Sequence, residues 1–254
     1  MKKIILLAMT ALLVVACQRP PKIVTPQVGS IHRDTINGVP CCIYMPNRVW
    51  KVEDGIWTEP KHEIFPVLYL QHGMWGDEND WTNQGHIEHL MDSLLSIGII
   101  KEMVIIMPDN CPTRPTSTEE LANATNGEWE ANFAAFMEEN ERRYPISNQP
   151  SKRAIAGLSI GGYHTMVVSS LLDGQFAYIG MFSPATLVHK VASSRKLLWI
   201  GIGKDDFLYL PLQSYLHWLQ EQHVEYVYYE SAGGHEWPNW QDYICRFLPK
   251  CFND

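Results

Sequence analysis

The stretch Arg153-Ala154-Ile155-Ala156-Gly157-Leu158-Ser159-Ile160-Gly161-Gly162 decides how the rest of this chain is read. A short apolar run leads into Gly-x-Ser-x-Gly, and a helix-like stretch continues from Gly162 to Leu172. Strand, sharp turn and helix around a central serine is the context in which a serine hydroxyl is lifted clear of a sheet edge. Glycines two before and two after the serine relieve crowding where strand and helix almost touch. Ser159 is therefore the candidate nucleophile.

Outward from this turn the same rhythm repeats. Short apolar strands are expected at Phe65 to Leu70, Met103 to Met107, Ala154 to Leu158, Tyr178 to Phe182, Lys196 to Ile202 and Val224 to Tyr229. Helices are expected at about Ile87 to Leu95, Glu128 to Arg143, Leu212 to Gln222 and Trp237 to Phe247. Five- or six-residue apolar strands alternating with longer helices predict an α/β chain, with a mostly parallel central sheet and helices on both faces. Ahead of this pattern, Gly29 to Ile36 and Val39 to Met45 flank Asn37-Gly38, a strong hairpin signal. Residues 46–64 are charged and read as a surface excursion. The segment 111–127 is polar with Pro112 and Pro115, and is the candidate lid or binding loop.

The residues with chemistry fall just after strands, where ligands sit in such sheets. A serine needs a base near neutral pKa, and that base needs an acid to fix its tautomer. His235, in Gly233-Gly234-His235-Glu236-Trp237, lies between the last strand and the last helix and is the candidate base. Asp205 and Asp206 both follow the preceding strand, and spacing alone does not separate them. Asp109 precedes the serine, against the Ser–Asp–His order of such folds. Acyl transfer also needs two N–H donors for an oxyanion, expected at Met74 and Ile160. His72 is expected to be structural, its ring bonding nearby backbone. No cofactor and no metal is needed, and no cysteine spacing resembles a zinc site.

The amino terminus carries its own reading. Met1-Lys2-Lys3 precedes a 13-residue apolar run from Ile4 to Ala16, too short to span a bilayer as a finished helix. Val14-Val15-Ala16-Cys17 resembles a bacterial lipobox. The expectation is a lipoprotein signal peptide at 1–16, lipidation at Cys17, a Pro-rich tether over 17–28 and one catalytic domain over 29–254. The residues after Cys17 favour an outer-membrane location, periplasmic or surface-facing, with the lipid as the only membrane attachment. The formal charge of −8 would drop by two, to −10, on loss of Lys2 and Lys3. An acidic chain without a basic run is a poor nucleic-acid binder, and no obligate protein partner is indicated. Outside the cytoplasm, Cys41, Cys42, Cys111, Cys245 and Cys251 could form disulfides, but spacing selects no pairing.

Several segments together resemble one family. They are Gln71-His72-Gly73 with Glu78-Asn79-Asp80-Trp81, the elbow at Ser159, Gly203-Lys204-Asp205-Asp206-Phe207, and Gly234-His235-Glu236-Trp237-Pro238-Asn239-Trp240. The chain is similar, from about residue 30 to 252, to the putative-esterase group of α/β-hydrolases, including carbohydrate esterase family 1. That resemblance implies an α/β-hydrolase fold, selects Asp206 over Asp205, and agrees with Met74 and Ile160 as oxyanion donors. It implies a serine carboxylic-ester hydrolase releasing ferulate or a related hydroxycinnamate from plant xylan or its oligosaccharides. The alternatives are an acetylxylan esterase, a siderophore trilactone esterase and, from another class, an inactive glycan-binding lipoprotein. Trp75, Trp81 and Trp129 are the candidate substrate-binding residues, because flat rings near strand ends can stack on sugars or aromatic acids.

Overall fold

The computed structural model describes residues 29–47, 51–53, 55–58, 63–110 and 127–253. The expected leader at 1–16, the tether with Cys17, Cys111 and most of the candidate lid lie outside the described residues.

The hairpin of β1 (Ser30–Ile36) and β2 (Val39–Met45) turns at Asn37 and Gly38, both at positive φ (51° and 81°). That is the backbone an Asn-Gly turn needs to match the twist of its strands. A small second sheet pairs β3 (Lys51–Glu53) with β4 (Ile56–Thr58) inside the charged excursion, where the sequence predicts no regular structure. The chain then runs through β5 (Val67–Gln71), the short helix α1 (Asp80–Asn83), α2 (Ile87–Ser96), β6 (Val104–Pro108), α3 (Glu128–Arg143), β7 (Arg153–Leu158) and α4 (Ile160–Leu171). It ends with β8 (Tyr178–Phe182), β9 (Leu197–Gly203), α5 (Tyr209–Glu221), β10 (Val227–Ser231) and α6 (Trp237–Phe247).

The eight-stranded sheet has the order β1-β2-β6-β5-β7-β8-β9-β10. β1 and β2 are antiparallel additions at one edge, and β6 to β10 with β5 run parallel. This is an α/β-hydrolase fold. β5, β6, β7 and β8 are buried along their whole length, which is why they read as continuous apolar runs. Successive side chains feed opposite faces. Tyr69 and Ile155 pack with α3, α4 and α5, whereas Leu68, Leu70 and Ala156 pack with α1, α2 and α6. The helices show why they belong there. Leu212, Tyr215, Leu216 and Leu219 bury one stripe of α5, and Trp240, Tyr243, Ile244 and Phe247 one stripe of α6.

Cys41 and Cys42 go to opposite faces of β2, as neighbours in a strand must. Both are free thiols, as are Cys245 and Cys251. The last strand starts three residues later than its apolar run predicts. His223, at φ 55°, donates its N–H to Gln220, and Val224 donates to Leu219. These two bonds close the carboxyl end of α5 in a Schellman arrangement and take Val224 out of the strand. Among the described residues no helix is long and apolar enough to cross a membrane.

Candidate active site

Ser159 stands between β7 and α4 with φ 55° and ψ −118°. A non-glycine residue in this region stores about 1–3 kcal/mol of strain and persists only where its surroundings hold it. Here its N–H donates to the Phe182 carbonyl at 2.9 Å, and its own carbonyl accepts from Gly162 at 3.0 Å and Ala185 at 3.0 Å. A Cβ on Gly161 would lie 2.3 Å from the His72 carbonyl, so only glycine lets α4 begin so close to the loop after β5. Ile160 is the first residue of α4, where helix N–H groups have no partner within the helix.

The loop after β5 is shaped by His72, which is 1% exposed. Its Nδ1 lies 2.6 Å from the Gly73 carbonyl, and its Nε2 accepts from the Asn110 N–H at 3.1 Å. With both ring nitrogens engaged by backbone, His72 is structural. A Cβ on Gly73 would sit 3.6 Å from the Ser159 Cβ, so Gly73 passes directly beside the serine. Trp75 follows at φ 62°.

The other two groups come from the ends of β9 and β10. Asp206 is buried, and its Oδ1 accepts the Leu208 N–H at 2.8 Å. His235 Nδ1 lies 3.0 Å from Asp206 Oδ1 and 2.9 Å from Oδ2. Burial pushes the Asp206 pKa up, but the bonds from His235 and the Leu208 N–H outweigh it and hold the carboxyl below the usual aspartate range. Asp205 points to solvent, and its N–H donates to the Gly233 carbonyl at 3.0 Å, tying the two loops together. A Cβ on Gly203 would meet that same carbonyl at 2.2 Å. The structure thus brings Asp206, and not Asp205, to His235. Asn239 Nδ2 donates to the Gly234 carbonyl at 2.8 Å and anchors the histidine loop to α6. The imidazole contacts two rings, Phe207 (4.5 Å between centroids) and Trp240 (5.0 Å).

The three candidate substrate tryptophans separate. Trp75 is 68% exposed in the loop after β5. Trp81 is 1% exposed, donates its indole N–H to the Gln71 carbonyl at 3.1 Å, and packs edge-on against Phe182 and Trp237. It is a core residue that no substrate can reach, which corrects its assignment as a binding residue. Trp129 is half-buried; its indole N–H donates to Gln71 Oε1 at 2.8 Å and its ring packs on Phe133 and Phe136. Two features escape the sequence reading. Gln71 is fully buried and also donates to Thr165 Oγ1 at 3.2 Å, joining α3 to α4. Glu130 of α3 pairs with His164 of α4 at 2.7 Å, both side chains 1% exposed. Among the described residues no group of acidic, histidine or cysteine side chains could hold a metal ion.

Residues 55–207, spanning the elbow and the acid, match the model of the family described as Putative esterase. The chain belongs to that family. The esterase is 29% identical over 165 residues to an endo-1,4-beta-xylanase/feruloyl esterase of Xylanibacter ruminicola, covering 63% of this chain and 22% of that one. It thus spans only about a fifth of that relative's length. It is 23% identical over 228 residues to an acetyl esterase of Caldicellulosiruptor saccharolyticus, covering 72% of this chain and 82% of that one. Its fold matches a ferulic acid esterase of Anaeromyces mucronatus in complex with ferulic acid, with a TM-score of 0.75 at 18% identity over 88% of this chain and 91% of the other. It also matches an S-formylglutathione hydrolase of Staphylococcus aureus, with a TM-score of 0.63 at 19% identity over 87% and 94%. The chain is an α/β-hydrolase esterase that resembles the feruloyl and acetyl esterases of carbohydrate esterase family 1.

Proposed function

We propose that the chain is a serine esterase that releases ferulate or a related hydroxycinnamate from ester-decorated xylan fragments. The observation that carries the reading is the buried Asp206 bonded to His235, with a strained serine at the carboxyl end of the same parallel sheet. Ser159 Oγ attacks the ester carbonyl while His235 Nε2 takes its proton. Asp206 keeps the other ring proton on Nδ1 and stabilises the imidazolium. The N–H groups of Met74 and Ile160 receive the developing oxyanion. His235 then gives its proton to the sugar oxygen as the acyl bond to it breaks. Water, activated by the same histidine, frees the acid and restores Ser159.

Support for an aromatic acid comes from the exposed indole of Trp75, two residues after Gly73, and from relatives whose names carry feruloyl or ferulic acid esterase. A second reading, removal of acetate, is favoured by the alignment with the acetyl esterase along 82% of its length. In either case the lipobox-like segment at Cys17 would hold the domain at the outer membrane through lipid alone.

The test is a side-by-side assay of the whole chain in mild detergent against methyl ferulate and acetylated xylan, with Ser159→Ala as control. Ferulate release that disappears in the variant supports the feruloyl reading. Acetate release alone selects the second reading, and silence on both substrates refutes the xylan assignment. Metabolic labelling with a palmitate analogue, lost in Cys17→Ala, tests the anchor separately.

A further inference from the structure

Phe207 directly follows Asp206 and is 72% exposed, an unusual position for a phenylalanine. Its backbone is not loose. The turn that carries it is closed by Asp206 N–H to the Gly203 carbonyl at 3.2 Å, Leu208 N–H to the Asp206 carboxylate at 2.8 Å, and Tyr209 N–H to the Asp206 carbonyl at 2.9 Å. The ring lies 4.5 Å from the His235 imidazole at an interplanar angle of 51°. Trp240 also contacts the imidazole, edge-on at 5.0 Å, and is only 6% exposed. Of the two rings in contact with His235, one therefore belongs to the core and the other, Phe207, faces water.

This asymmetry bears on where the leaving group goes. Nδ1 is engaged by Asp206, so the proton for the departing alcohol must come from Nε2. Of the two rings against His235 only Phe207 is exposed, so it is the one that a group reaching the imidazole from solvent can cover. A held, water-exposed aromatic face gains from being covered by an apolar surface of matching flatness. The C–H face of a sugar ring is such a surface, and a methyl group is too small to cover it.

We infer that Phe207 is a specificity-determining residue, the platform on which the sugar ring of the leaving alcohol stacks. The inference rests on the esterase reading of Ser159, Asp206 and His235. It assigns the sugar side of the ester to Phe207, apart from the acyl side next to Trp75.

The experiment compares kcat/KM on two esters of one acid, methyl ferulate and a feruloylated arabinoxylan oligosaccharide. Methyl acetate and an acetylated xylo-oligosaccharide form a parallel pair. The readout is the oligosaccharide-to-methyl ratio for the whole chain, Phe207→Ala and Phe207→Trp. The ratio is expected to fall about tenfold in the alanine variant, mainly through KM, and to recover in the tryptophan variant. An unchanged ratio overturns the platform, whether activity on both esters falls together or not at all. A joint fall would mean that the ring acts only by holding His235. A wild type inert on all four esters overturns the esterase reading itself, and the platform with it. Because the side chain is exposed, thermal melts of the variants should match the wild type.

Discussion

His235 Nδ1 faces both carboxylate oxygens of Asp206, at 3.0 and 2.9 Å, although 29 residues and the whole of α5 separate them. The contact exists because β9 and β10 run parallel side by side, so their carboxyl ends deliver adjacent loops. Asp205 is one residue nearer the strand and its side chain faces away. Asp206→Asn should therefore lower kcat by about 10⁴-fold, since an amide fixes the wrong imidazole tautomer. Asp205→Asn should leave kcat within about twofold, because it removes no partner of the base. Steady-state kinetics on one simple ester would decide, and equal losses in the two variants would refute the assignment.

The tryptophans divide in the same manner. Trp81 fills the space between β8 and the amino end of α6, and its indole N–H is bonded. Trp81→Ala should cost about 3–5 kcal/mol of stability, the range for emptying a large aromatic site in a core. Trp75→Ala should change stability by less than about 0.5 kcal/mol, because the ring is exposed. Its effect should instead be a raised KM for an aromatic acyl ester. Urea unfolding and kinetics on the same two variants test both halves.

Much of this could be read from residues alone, and the parts that could not share a cause. Strands buried on both faces announce themselves as apolar runs, as Val104 to Pro108 does, and Asn37-Gly38 can form few other turns. Asp205 and Asp206 could not be separated by spacing, because the choice depends on how the turn leaves β9. Trp81 lies close in sequence to the loop after β5 that passes the serine, yet its ring direction follows from the short helix α1, which carries no strong periodic signal. Glu130 sits in a helix rich in acids, where one buried carboxylate looks like its exposed neighbours. Its partner His164 is 34 residues away and on another element.

The Glu130–His164 pair ties the start of α3 to the helix that carries Ser159 at its head. Burial pushes the Glu130 pKa up, but the bond and charge of His164 outweigh it, so the folded value lies below the ordinary glutamate range. A depressed carboxylate contributes stability above its unfolded pKa and loses it as pH falls through the folded value. Glu130→Ala should cost about 1–3 kcal/mol near neutrality, since it leaves a buried ring nitrogen of His164 without its hydrogen-bond partner. That difference from the wild type should shrink as the pH drops below about 4, where the unfolded carboxylate takes up its proton. Urea titrations at a series of pH values would show it, and a pH-independent difference would contradict the pairing.

Ser159 supplies the last test, because its backbone and its hydroxyl have opposing demands. At φ 55° and ψ −118° an L side chain is strained, and glycine is not. Ser159→Ala keeps the Cβ and the strain, so it should lose activity with little change in stability. Ser159→Gly removes the strain but adds chain entropy to the unfolded state, worth about 0.5–1 kcal/mol against folding. With strain of about 1–3 kcal/mol released, the glycine variant should be at least as stable as the alanine variant, by up to about 2.5 kcal/mol. Both should be inactive. If the alanine variant proves clearly more stable in urea unfolding, the turn at Ser159 is not under the strain its dihedral angles imply. The bonds from Phe182, Gly162 and Ala185 would then merely accompany the conformation, and no surplus of stability elsewhere would be needed to hold the serine in place.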